Sequence, residues 1–253
     1  MTETTTTRNP DNQRYDRRAQ TRQGTSFSMS LIGNLVDALV LLLVALVFSV
    51  ITEWIGMLFF WEEEGAMHSE RMLITELGYL NEDFKHSLFG YTPVQIATET
   101  AAQVDYWLFE ATLFRDILAW LVTAPADAGK FRRSLAYSVG LVQDYIAAAI
   151  NATQLFGVRL AIAVLSTPAF LLIGLAALID GLVRRDIRRF SGSHESSFVY
   201  HNIKPWVRPA FIGAWFIYLG SPWSLHPNVI FIPAALLFGM AIYLTSSMFK
   251  KFL

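Results

Sequence analysis

Residues 160–179 carry no charged side chain, and Asp180 and the run Arg184, Arg185, Asp186, Ile187, Arg188, Arg189 follow them. A helix of that length rises ~30 Å, which matches the hydrocarbon core of a bilayer. An uncharged span that stops against four arginines constrains this chain more than any other feature. It implies a membrane crossing with a set orientation, because short Lys/Arg-rich loops stay cytoplasmic.

Composition agrees. Hydrophobic residues make up 53% of the 253 residues and charged residues 16%, against roughly 25% charged in an average soluble protein. The mean hydropathy is +0.38. With no cysteine, disulfides, thiolate metal sites and cysteine nucleophiles are excluded. The net charge of −1 gives no reason to expect direct contact with nucleic acid.

Residues 1–30 hold Arg8, Arg14, Arg17, Arg18 and Arg22, partly offset by Glu3, Asp11 and Asp16, and show no apolar face. That pattern predicts a disordered, basic cytoplasmic tail, or an arm for anionic lipid or a partner. Residues 31–61 predict the first transmembrane helix, with Asp37 and Glu53 bracketing its apolar centre and Trp54 and Trp61 at the far end. The polar leader is too long for a cleaved signal peptide, so a retained anchor is expected.

Residues 62–157 carry thirteen acids and six bases and predict a periplasmic helical region. Thr92-Pro93-Val94-Gln95 reads as a capping box with proline at the first helical position. Val104, Trp107, Leu108, Ala111, Leu118 and Leu121 continue at helical spacing until Ala124-Pro125 ends the helix. Residues 135–156 read as its partner in a helical hairpin on the outer membrane face. They are also apolar enough to cross, at ~2.5–3.5 kcal/mol for burying Asp144. A fifth crossing would turn the arginine run outward, so four crossings are expected.

Residues 158–183 predict the second crossing. Pro168 interrupts it, and Ser166 and Thr167 are candidates to satisfy the freed carbonyls. Gly174, Ala177 and Gly181 offer a close approach to another helix. Residues 184–205 read as a basic cytoplasmic loop. Residues 209–249 contain no Asp, Glu, Lys or Arg, and a polar turn near Ser221-Pro222 divides them. Residues 206–253 therefore predict a transmembrane hairpin with a short cytoplasmic C-terminus.

A search for chemistry finds little. The five histidines, His68, His86, His194, His201 and His226, are scattered over three loops. His194-Glu195 begins like a helical zinc-protease motif, but Phe198 stands where the second ligand belongs. There is no phosphate-binding glycine loop and no nucleophile elbow. Catalytic, cofactor and metal residues are expected to be none. Charges near the span ends favour structural ion pairs over a proton path: Glu53 with Arg159 at the outer face, and Asp180 with Arg208 at the inner face. Asp37 and Glu53 lie ~160° apart on a helical wheel and share no polar face.

The stretch Asp180-Gly181-Leu182-Val183-Arg184-Arg185-Asp186-Ile187-Arg188-Arg189-Phe190, with Glu195-Ser196-Ser197-Phe198-Val199-Tyr200-His201, resembles the integrating conjugative element membrane proteins. These are encoded among bacterial type IV secretion and conjugation genes. The resemblance implies a bacterial inner membrane and a place near a DNA-transfer machinery, and it carries over no catalytic residue.

Together these features predict an all-α polytopic membrane protein with four transmembrane helices, a helical periplasmic hairpin between the first and second, and both termini cytoplasmic. The expected function is a non-enzymatic component or assembly factor of conjugative transfer. The alternative is a small transporter or channel using charges at the helix ends. Expected contacts are other inner-membrane proteins of the machinery, with a coupling ATPase as one candidate, and anionic lipid at Arg184, Arg185, Arg188 and Arg189. Association with further copies of the chain is also open.

Overall fold

The computed structural model describes residues 10–83, 91–123, 125, 128–191 and 201–248. The described residues hold eight α-helices and no extended strand: α1 (Pro10–Phe59), α2 (Met67–Asp83), α3 (Pro93–Asp105), α4 (Phe114–Val122), α5 (Lys130–Leu141), α6 (Gln143–Phe190), α7 (Val207–Gly220) and α8 (Pro227–Ser247). The chain divides into two compact units, Met1–Val44 and Ala45–Leu253.

In the first unit the expected disordered tail is helical from Pro10 onward. Helix propagates cheaply from a formed nucleus, and Arg14, Arg17, Arg18, Ala19 and Gln20 are all good helix formers. No apolar face is needed for that extension. Residues 1–9 lie outside the described residues.

The second unit is built on α6, whose 48 residues span ~72 Å, more than twice a bilayer core. The helix runs unbroken through residue 157, the expected start of a separate helix for the second crossing. Pro168 is also carried within the helix. Ser166 donates to the carbonyls of Ile162 and Ala163, and Thr167 to that of Ala163, which ties the turn ahead of the proline. The core follows α6 from Val158 to Phe170, with Leu80, Ala97 and Ala101 packed on it from α2 and α3, and Ala214, Tyr218, Phe231 and Ala235 from α7 and α8.

Small residues set both seams. A Cβ on Gly157 would stand 2.6 Å from the Cα of Ala101, so α3 crosses α6 almost backbone to backbone. Further along, Gly174 faces Phe238, Gly181 faces Ser246, and Gly239 of α8 faces Ile173 and Ala177. The expected close approach at Gly174, Ala177 and Gly181 is therefore present, and α8 is the helix that makes it. Phe170 anchors the junction, with Phe211, Phe231 and Phe238 ring centroids at 5.2, 6.3 and 5.8 Å in edge-on arrangements.

Among the described residues, three helices are long and apolar enough to cross a membrane: the Gly33–Phe59 part of α1, α6 and α8. α7, at 14 residues, rises only ~21 Å, so the structure does not show the expected fourth crossing. Nor do residues 135–156 form one helix: α5 ends at Leu141, Val142 breaks the chain direction, and α6 begins at Gln143.

The expected hairpin is rearranged as well. The capping box at Thr92 is present, with Thr92 and Gln95 exchanging both hydrogen bonds. The helix it starts ends at Asp105, where a π-turn (Tyr106–Glu110) and Leu113 at φ 59° redirect the chain into α4. Leucine in that left-handed region is strained. Asp105 holds the bend by accepting from Arg115 at 2.7 and 2.6 Å and from Gln154 at 3.2 Å. The hairpin that forms is α4 with α5, where Arg132 lies 4.5 Å from the Trp120 ring and donates to the Trp120 and Thr123 carbonyls.

Candidate functional site

The most unusual local chemistry is a buried charge cluster where α2, α6, α7 and the α7–α8 turn meet. Arg159 is 1% exposed and Glu76 is fully buried. Glu76 stands in the stripe Ser69, Met72, Glu76, Leu80 that α2 turns to the core, so the helical period itself carries a carboxylate inside.

Arg159 donates from Nε and Nη2 to Glu76 Oε1 at 2.9 and 2.6 Å. Its Nη1 donates to the Ser221 carbonyl, and Nη2 also reaches the Trp223 carbonyl at 3.1 Å. The Tyr218 hydroxyl donates to the other Glu76 oxygen at 3.3 Å, and its ring lies 5.8 Å from the guanidinium carbon. Burial pushes the Glu76 carboxyl up from its ordinary value, opposed by the Arg159 charge and the hydrogen bonds from Arg159 and Tyr218. Three stretches distant in sequence, around residues 76, 159 and 218–223, thus meet at one guanidinium.

A second polar pair lies beside the first. Glu53 of α1, nearly buried, accepts from His68 Nδ1 at 3.2 Å. Trp61 stacks on the His68 ring with centroids 3.8 Å apart. Trp54, expected at an interface, donates its indole N–H to the Tyr145 carbonyl at 2.9 Å.

The expected ion pairs are not those that form. Arg159 pairs with Glu76, and Glu53 pairs with His68. Depth along the chain suggested Glu53 for Arg159, but α2 folds back along α6 and brings a nearer carboxylate. Asp180 and Arg208 form no ion pair among the described residues. Asp180 opens on a groove with Tyr243, Gly239 and Ile173, while Arg208 lines a different groove with Leu178, Leu182 and Ile242. Asp37 is exposed on α1.

The arginine run also differs from expectation. It is not a loop but the last turns of α6, where Arg188 and Arg189 complement the helix dipole. Arg184 and Arg189 are exposed, and Arg185 is held by Asp186 at 3.0 Å. Arg188 follows Gly174 and Gly181 at seven-residue spacing and lies on the α6–α8 seam, with Nη1 2.8 Å from Met248 Sδ. It is half-buried there and does not share the exposure of Arg184 and Arg189. The aromatic return at Phe198, Val199 and Tyr200 lies outside the described residues.

Glu76, Tyr218, His68, Asp105 and Gln154 escaped the sequence reading. Glu76 alone had a legible signal, an acid at a core position of an amphipathic helix. Among the described residues, no three His, Asp or Glu side chains gather in a way that would hold a metal ion.

A family profile described as "IncC plasmid conjugative DNA transfer protein DtrJ-like" matches residues 60–250. The chain belongs to this DtrJ-like family. The match agrees with the resemblance drawn from the arginine run in its class, conjugative DNA transfer, and gives a different family name. The stretch shared with the DtrJ-like proteins contains Glu76, Arg159, Tyr218 and the arginine run, and begins after Glu53. No curated protein and no solved structure matches the chain.

Proposed function

We propose that this DtrJ-like chain is a non-enzymatic inner-membrane component, or assembly factor, of a conjugative DNA-transfer apparatus. Family membership supplies the process. The observation that carries the non-enzymatic role is the Arg159 cluster. The buried Arg159 guanidinium is bonded to Glu76, Ser221 and Trp223 and so ties α2 and the α7–α8 turn to α6. A transporter or channel acting through Glu53 or Arg159 needs groups able to change partners, and these are closed on fixed ones.

The reading includes four crossings with both chain ends cytoplasmic. Ring pairs Tyr218–Phe231 and Phe211–Phe238, at 5.0 and 6.1 Å, make α7 antiparallel to α8. The glycine contacts make α8 parallel to α6. A short 3-10 turn, Lys204–Trp206, precedes α7 and lengthens its helical path at the basic end. Partners are other membrane proteins of the apparatus, with a coupling ATPase or further copies of the chain as candidates.

The test is deletion of the gene from its element, with complementation in trans and affinity capture from solubilised membranes. Expected are a loss of mating frequency restored by the complementing copy, and co-capture of other transfer proteins. Unchanged mating after deletion overturns the role in transfer. A reporter active only outside the cytoplasm, fused at Ser224, tests the α7 crossing: activity is expected there and none at Ser191.

A further inference from the structure

We propose that the groove between the C-terminal ends of α6 and α8 and the start of α7 binds one anionic phospholipid, with an acyl chain on its floor and the phosphate at Lys204 and Arg208. The groove has a volume of about 680 Å³, within the roughly 300–1,000 Å³ of small-molecule sites. Leu178 and Leu182 of α6 form one wall, and Ile242, Thr245 and Ser246 of α8 the other. The Thr245 and Ser246 hydroxyls are turned back to helix carbonyls, Thr245 to Ala241 at 2.6 Å and Ser246 to Ile242 at 2.8 Å. What they add to the groove is therefore mostly carbon.

Charge is confined to one end. Lys204 and Arg208 both line the groove, and Arg208 is exposed with no carboxylate at ion-pair distance among the described residues. Among the described residues, the α6 acids do not pair with Arg208: Asp186 is held by Arg185, and Asp180 opens on the other side of the α6–α8 seam. An apolar trough along two membrane-length helices, closed at one end by cations, complements a molecule with a long apolar tail and an anionic head. Basic pockets between helices at the cytoplasmic side bind such headgroups. A water-soluble anion would leave the trough empty.

This inference rests on the reading that α6 and α8 cross the membrane with their C-terminal ends at its cytoplasmic face, and not on the role in transfer. The full-length chain, purified in non-ionic detergent, is titrated with phosphatidylglycerol or phosphatidylcholine and bound lipids are counted by native mass spectrometry. One phosphatidylglycerol should be retained, with a preference of roughly fivefold per basic residue engaged. Arg208→Gln should weaken that preference, and Lys204→Glu with Arg208→Glu should abolish it. Leu182→Trp fills the trough without changing charge and should reduce retention of both lipids.

Equal retention of the two lipids by the unaltered chain overturns the proposal. So does a Leu182→Trp chain that retains phosphatidylglycerol normally, because the cations then act as a surface and not as the end of a groove. Carbonate washing of membranes separates the two readings. A chain released by the wash overturns the crossing itself, whereas one that stays in the membrane without lipid preference overturns only the groove.

Discussion

Arg159 and the arginines at 184–189 sit on the same helix and do opposite work. Arg159 is buried and donates to a carboxylate on α2 and to two carbonyls of the α7–α8 turn. Arg184 and Arg189 are exposed and form no ion pair among the described residues. A guanidinium keeps its charge in any surroundings, so within a bundle it needs acceptors built around it, whereas at a surface water or lipid phosphate suffices. Position along one helix thus separates a cation that specifies tertiary structure from cations that specify where the helix ends.

Breaking the buried cluster should have the largest effect. Glu76→Leu strands a charge that Arg159 cannot lose and should destabilise by about 3–5 kcal/mol. Arg159→Met should cost less, because Glu76, already pushed up by burial, can take a proton. A folded-state value raised above the unfolded one gives stability at low pH that is lost as pH rises through it. The Arg159→Met deficit should therefore grow toward alkaline pH, and the double variant should recover part of the Glu76→Leu loss. Thermal unfolding in detergent across pH checks this, and an Arg159→Met chain worse than Glu76→Leu contradicts it.

The seam beside the cluster comes next. Gly157→Val places atoms where the Ala101 backbone lies and should cost about 1–3 kcal/mol. Gly78→Ala in α2, which meets nothing within 4 Å, should be neutral or stabilise by up to about 1 kcal/mol. Equal effects from the two would deny that α3 and α6 pack at backbone distance.

Tyr218→Phe removes one hydrogen bond from Glu76 and keeps the ring, so a loss of about 1 kcal/mol is expected in the same unfolding measurement. A loss near that of Glu76→Leu would make the hydroxyl, and not the guanidinium, the centre of the cluster.

At the other end, Arg184→Ala with Arg189→Ala should change stability by no more than about 0.5 kcal/mol, as exposed substitutions do. The expectation is normal membrane abundance with lowered mating frequency. Normal mating with normal abundance would reduce these arginines to a topology signal and move the partner surface to the α4–α5 hairpin.

Much of the helical layout was legible. The apolar window, the capping box at Thr92 and the small residues Gly174, Ala177 and Gly181 are local or periodic signals, and each has its counterpart in the structure. The continuous α6 was not legible, because the polar residues between 143 and 159 look like a boundary in one dimension. Gln143 and Asp144 are exposed at the start of the helix, whereas Asn151, Thr153, Gln154 and Arg159 are buried or half-buried where α2 and α3 pack on it.

By itself the sequence determined an all-helical chain with membrane-length apolar helices and a basic end to one of them. These follow from composition, helical period and the cost of burying charge, which depend only on neighbours along the chain. The tertiary structure alone decided which carboxylate meets Arg159, that Glu53 turns to His68, that Arg188 joins the α6–α8 seam, and that Asp180 and Arg208 part company. Each of those depends on which helix faces which across distances of tens of residues. Electrostatic partners are chosen by contact, and contact is set by packing.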